Sequence, residues 1–194
     1  GVKHPVMELE RGQPHRLRLI NASNARVMAF DPARLGGRIL AWDGPPLPKA
    51  DVLGYSPMLL GPAQRVDLLV TPDTDFQLEE ISGDQPFALA SFKATGQGAS
   101  AAEPLPLPLN ALPEPDIPNA KTVKVNMEGG AMGGPVSITY QGRVLQRADY
   151  RDTKQFWAFN GVANQMDKPL FSVKRGETVI IETANNTAFA HAMH

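Results

Sequence analysis

Polar and apolar residues alternate along Arg16-Leu17-Arg18-Leu19, the period-two pattern of a strand with one face in water. Short runs rich in Val, Ile and Leu recur along the chain. The pattern predicts strands at residues 6–9, 16–21, 39–42, 65–70, 87–92, 122–127, 156–159, 170–173 and 178–182. No long segment shows the helical period of an amphipathic helix. Eighteen prolines and seventeen glycines punctuate the runs. Many short strands separated by turn residues predict an all-β fold, a sandwich or barrel.

An internal repeat sharpens that expectation. Arg11-Gly12-Gln13, Leu17-Arg18 and Asn21-Ala22-Ser23 align without gaps to Arg175-Gly176-Glu177, Ile181-Glu182 and Asn185-Asn186-Thr187. Upstream, Gly1-Val2 parallels Gly161-Val162, with four extra residues before the second Arg-Gly. Two copies of one strand–turn–strand unit imply two homologous β domains. Gly12 and Gly176 suit a turn that needs positive φ. The Asn-x-Ser/Thr triplets end the second strand of each copy with side chains able to hydrogen-bond nearby backbone. Both triplets also match the glycosylation sequon.

Between the copies, Glu103-Pro104-Leu105-Pro106-Leu107-Pro108-Leu109 is followed by Pro113, Pro115 and Pro118. Alternating Leu-Pro cannot form a helix and makes a poor central strand, so an extended interdomain tether is expected. The predicted organisation is a first domain over residues 1–97, a Pro-rich linker over 98–118 and a second domain over 119–194.

Composition narrows the function classes. The 194 residues are 42% hydrophobic and 20% charged, with 19 basic and 20 acidic side chains and a net charge of −1. That balance gives no footing for nucleic acid or an anionic membrane. No apolar run approaches the roughly 20 residues of a membrane span. No signal peptide pattern opens the chain. The absence of cysteine excludes disulfides, thiolate nucleophiles and thiolate-bound metals built from these residues alone.

The candidate chemistry lies at His191-Ala192-Met193-His194. Neutral imidazole is a common ligand for copper and zinc. If the preceding strand continues through this segment, residues three apart face opposite sides. His191 and His194 would then serve two different metal centres. By the repeat, their counterparts in the first copy are Val27 and Phe30, so one domain reads as structural and the other as metal-binding. His4 and His15 sit beside prolines and read as non-ligands. The methionines, Met127, Met132, Met166 and Met193 among them, are dispersed and read as packing or surface residues. Glu79-Glu80 and Asp73/Asp75 read as solvated carboxylates in turn-like segments rather than an acid–base pair. Gly129-Gly130 and Gly133-Gly134 lack the Lys-Ser/Thr of a phosphate loop. Arg65, just before Val66-Asp67-Leu68, reads as a structural ion-pair partner.

Three stretches together carry a family resemblance: residues 16–23, then Ile39-Leu40-Ala41-Trp42-Asp43-Gly44, then Leu60-Gly61-Pro62-Ala63-Gln64-Arg65-Val66-Asp67-Leu68-Leu69-Val70. They resemble the second cupredoxin domain of three-domain, laccase-like multicopper oxidases. Met127-Glu128-Gly129-Gly130-Ala131-Met132-Gly133-Gly134, Phe156-Trp157-Ala158-Phe159-Asn160-Gly161 and residues 169–194 resemble the opening of the third domain in bacterial members. The resemblance implies a cupredoxin-like Greek-key β-sandwich, copper as cofactor, and copper ligation by His191 (type 1) and His194 (trinuclear cluster). It implies a parent that oxidises a phenol, an aromatic amine or a metal ion such as Cu(I) by single electrons while reducing O2 to water. A periplasmic or secreted location follows from the same resemblance. Against the family pattern, the chain reads as a fragment: it lacks the first domain and the later His-Cys-His segment, so by itself it is expected to be inactive, with no catalytic residues of its own and copper sites absent or incomplete. Unpaired strand edges of incomplete domains invite a homo-oligomer. Two competing readings are a cupredoxin-fold scaffold that has lost its copper sites, and a β-sandwich adhesion or carbohydrate-binding module. The low aromatic content, 7%, disfavours the last.

Overall fold

The computed structural model describes residues 1–51, 57–98, 107–130 and 137–193. The described chain is mainly strands and divides into two compact units. One comprises Gly1–Ala111 with the terminal segment from His191, the other Leu112–Ala190. The division falls inside the Pro-rich stretch, of which residues 99–106 lie outside the described residues.

The first unit contains β1 (Val6–Glu10), β2 (His15–Ile20), β3 (Met28–Phe30), β4 (Arg38–Trp42), β5 (Pro46–Asp51), β6 (Met58–Leu60), β7 (Arg65–Val70), β8 (Phe76–Glu80) and β9 (Phe87–Thr95). They form a four-stranded sheet ordered β2-β7-β4-β5, a three-stranded sheet β1-β9-β8 and a pair β3-β6. β7 pairs antiparallel with β2 on one side and with β4 on the other. β1 runs parallel to β9. Inward residues from all three sheets meet in one core: Ile39, Val66, Leu68 and Val70 from the first, Leu78, Ala90 and Phe92 from the second, Phe30, Met58 and Leu60 from the third. Burying each such side chain contributes roughly 1.5–3 kcal/mol relative to exposure. Phe76 stacks on Phe92 with ring centroids 4.6 Å apart.

The second unit contains β10 (Lys121–Gly129), β11 (Ser137–Tyr140), β12 (Arg143–Gln146), the single helical turn α1 (Tyr150–Thr153), β13 (Trp157–Phe159) and β14 (Val179–Asn185). β10 lies between β13, antiparallel to it, and β14, parallel to it. β11 and β12 form a hairpin whose turn residues Gln141 and Gly142 have φ of 48° and 76°. Positive φ at both central positions is the turn that matches strand twist. The core here is smaller: Ile138, Leu145, Tyr150, Ala158 and Ala163, with Phe156 edge-on to Tyr150.

All predicted strands but one have counterparts. Residues 170–173 follow Pro169 and form no strand, their apolar side chains half-exposed or exposed. Strands β3, β5, β6, β8, β11 and β12 were not evident from the pattern.

Glu79 and Glu80 also depart from expectation. They lie in β8, not in a turn, and period-two alternation turns Glu80 inward on the side of Leu78, leaving it 4% exposed. Its Oε1 accepts from the backbone N–H groups of Ala29 and Ser82, and its Oε2 accepts from Arg26 Nη2 at 2.8 Å. Burial pushes this carboxyl up, but the Ser82 and Ala29 hydrogen bonds and the Arg26 charge outweigh it and leave it below its ordinary value. Asp67 of β7 is 2% exposed and sits between Arg16 and Arg18 of β2. The Arg18 hydrogen bonds lead in holding its carboxyl low, against its burial. Arg65 bonds the Asp43 carbonyl and faces its carboxylate, the structural role expected of it.

Both depressed carboxyls have the same pH consequence. A carboxyl held low in the folded state stabilises the fold above its unfolded pKa, and that contribution is lost as pH falls through the folded value. Stability should therefore be flat above about pH 5 and fall steeply below about pH 4, where ordinary carboxylates protonate. Urea midpoints measured from neutral pH to strong acid check this. Asp67→Asn should flatten the fall, and an unchanged acid profile in that variant would refute the assignment.

Candidate metal centre

The segment leading to His191 is set by the second copy of the repeat. In the first copy the Glu10 carbonyl accepts from Gln13 N–H at 3.3 Å around Gly12, whose φ is 72°. In the second the Lys174 carbonyl accepts from Glu177 N–H at 3.1 Å around Gly176, whose φ is 91°. A strand follows each turn, β2 and β14. Each strand then ends on the same side-chain turn. Asn21 Oδ1 accepts from Ser23 N–H at 3.0 Å and from Ser23 Oγ at 2.7 Å. Asn185 Oδ1 accepts from Thr187 N–H at 3.0 Å and from Thr187 Oγ1 at 2.6 Å. Asn21 Nδ2 donates to the Arg26 and Leu60 carbonyls, and Asn185 Nδ2 to that of Phe189. The alignment of residues 11–23 with 175–187 is thus a three-dimensional repeat. It also gives the sequons a structural use, since the Asn21 side chain is buried and fully engaged.

This turn corrects the expectation that one strand runs through His191. Asn185 satisfies the backbone locally and stops β14, and residues 190–193 follow without regular structure. The strand argument for opposite-facing His191 and His194 therefore does not apply to the described segment. His191 is exposed, and its grouping is with the first unit. There, an added Cβ on Gly61 would lie 2.6 Å from Ala192 Cβ, so a side chain at this position would require the terminal segment to shift. His194 lies outside the described residues, as do Met132, Gly133 and Gly134.

The remaining candidates take structural roles. His4 packs its ring on Phe87 at 5.1 Å, and His15 Nε2 donates to the Glu10 carbonyl at 3.1 Å. Met127 is buried in β10 as a core residue. Imidazole suits copper, but among the described residues no three His, Cys, Asp or Glu side chains gather to hold a metal ion.

No family model matches the chain, and no curated protein matches it in sequence. Solved structures do. A multicopper oxidase from Pseudomonas thermotolerans superposes with a TM-score of 0.69 at 27% identity, over 94% of this chain and 40% of that one. Lac15 from a marine microbial metagenome gives a TM-score of 0.63 at 26% identity, again over 94% and 40%. This chain resembles multicopper oxidases. Its units accordingly have the cupredoxin-like β-sandwich fold of those enzymes. A variant of the McoA multicopper oxidase from Aquifex aeolicus shares the fold at 18% identity, with a TM-score of 0.66 over 96% of this chain and 41% of that one. The chain spans about 40% of the length of the multicopper oxidases it matches. Among the described residues no helix is long and apolar enough to cross a membrane.

Proposed function

We propose that this chain is part of a copper-dependent oxidase that couples one-electron oxidation of a small molecule to reduction of O2 to water. The observation that carries the reading is the match to a multicopper oxidase over 94% of this chain at 27% identity. Supporting it, the repeat places a histidine-bearing segment after one of two equivalent strand-ending turns, where the first copy carries Val27 and Phe30. His191 and His194 are the candidate copper ligands, His191 for a mononuclear centre and His194 for an oxygen-reducing cluster. The other ligands come from the rest of the protein, so the chain alone is inactive. The substrate class is a phenol, an aromatic amine or a metal ion such as Cu(I). The location is periplasmic or secreted, as the resemblance implies.

Oxygen uptake by the full-length protein tests this. With copper loaded and an aromatic amine supplied, O2 should disappear in proportion to oxidised amine without accumulating peroxide, and chelation should stop it. No uptake with any of the three substrate classes would instead favour a cupredoxin-fold scaffold.

A further inference from the structure

We propose that the first unit binds a small uncharged, largely apolar molecule bearing an acceptor oxygen, an aryl ketone for example, in the cavity between β3, β8 and β9. This cavity has a volume of about 400 Å³ and is lined by Arg26, Met28, Glu80, Gln85, Phe87 and Leu89. A volume of roughly 300–1,000 Å³ with apolar walls and few polar groups is the usual form of a small-molecule site. Phe87 and Leu89 of β9 both line it, Leu89 at the register shift between β8 and β9, and Met28 opens β3. Phe87 stays half-exposed, yet its ring is held by His4, with centroids 5.1 Å apart.

The polar groups decide the ligand's chemistry. Glu80 is buried, and its carboxylate's four accepting directions are taken by the Ala29 and Ser82 N–H groups at Oε1, Arg26 Nη2 at Oε2 and the Ser82 hydroxyl. It has no accepting direction left that would favour a ligand donor or cation. Arg26 uses only Nη2, towards Glu80 and Ser82 Oγ. Its Nε and Nη1 make no hydrogen bond among the described residues, so the guanidinium is anchored on one edge and free to donate on the other. The Glu80 carboxylate already neutralises that guanidinium, which removes the attraction a free Arg would exert on an anion. What remains is a largely apolar wall with donors from Arg26 and the Gln85 amide. An acceptor oxygen on a neutral aromatic body complements it.

The test uses the whole chain labelled with methyl-¹³C methionine. Its seven methionines report by position, and Met28→Leu assigns the pocket signal. Titration with methyl naphthyl ketone should shift the Met28 methyl saturably and leave the other six signals in place. Naphthalene, which lacks the acceptor, should bind about tenfold more weakly, the weight of one well-placed hydrogen bond. Phe87→Ala, at a half-exposed position that folding tolerates, should also weaken the ketone by about tenfold. The proposal is overturned by no saturable Met28 shift, by equal binding of ketone and naphthalene, or by a Phe87→Ala variant that binds as the parent does.

Discussion

Gly129→Ala should destabilise the second unit by about 3 kcal/mol or more and detach β13 from β10. Gly129 ends β10 directly opposite Trp157. An added Cβ there would lie 1.9 Å from the Phe156 carbonyl oxygen and 2.9 Å from its carbon. Both are backbone atoms, so no rotamer change relieves the collision. The residue's φ is +113°, a region that L side chains rarely enter. Moreover, the Phe156 carbonyl accepts the Gly130 N–H at 2.6 Å, so pushing it away breaks a backbone bond at the same point. The strand β13 spans only Trp157–Phe159 and cannot redistribute that loss. Urea unfolding followed by Trp157 fluorescence in a Trp42→Phe background reads the effect. A variant within about 0.5 kcal/mol of the parent, the range of ordinary surface changes, would show that this contact does not hold the strands together.

Asn21→Ala should cost about 2–4 kcal/mol, whereas the equivalent Asn185→Ala should cost about 0.5–1 kcal/mol. The two asparagines make nearly the same turn, so the difference reads burial together with the interior bond that burial allows. Asn21 is 1% exposed, and its Nδ2 reaches across to the Leu60 carbonyl at 2.8 Å in the interior. Truncation strands that carbonyl where water cannot replace the lost partner. Asn185 is exposed, so water takes over its duties. Denaturant midpoints of both variants give the comparison. Equal losses would mean that the repeat's turns are held by local geometry alone, with no contribution from burial.

Much of the fold was legible because one physical rule wrote it twice. A glycine turn, an alternating strand and an Asn-x-Ser/Thr stop are short-range features, and each appears in three dimensions where the two copies align. The strands that escaped notice have identifiable reasons. β5 begins Pro46-Leu47-Pro48 and survives because it pairs only with β4 at the sheet edge. β8 ends in two glutamates that resemble a solvated turn, and only the bonds of Glu80 to Ala29, Ser82 and Arg26, the last 54 residues away, make its burial tolerable. The β11–β12 turn is Gln141-Gly142, a less familiar signal than Asn-Gly. Residues 170–173 have strand-like side chains but no partner strand among the described residues, and propensity alone does not make a strand.

The candidate site was legible in identity and not in geometry. Histidine at 191 and 194 points to metal ligation by residue type, and copper is what the resemblance implies. The alternation would carry β14 through them, but the Asn185 turn competes with the strand and ends it first. Side chains that bond their own backbone defeat period-two reasoning within one turn of chain.

The central claim, that His191 ligates copper in the intact oxidase, is tested most directly by the copper content of the full-length protein carrying His191→Ala. Metal would be counted after dialysis, with the urea midpoint as a folding control. The account predicts a partial loss: the centre that His191 serves empties, the other copper stays bound, and the midpoint is unchanged. Copper content equal to the parent's, in a variant that folds equally well, would contradict it.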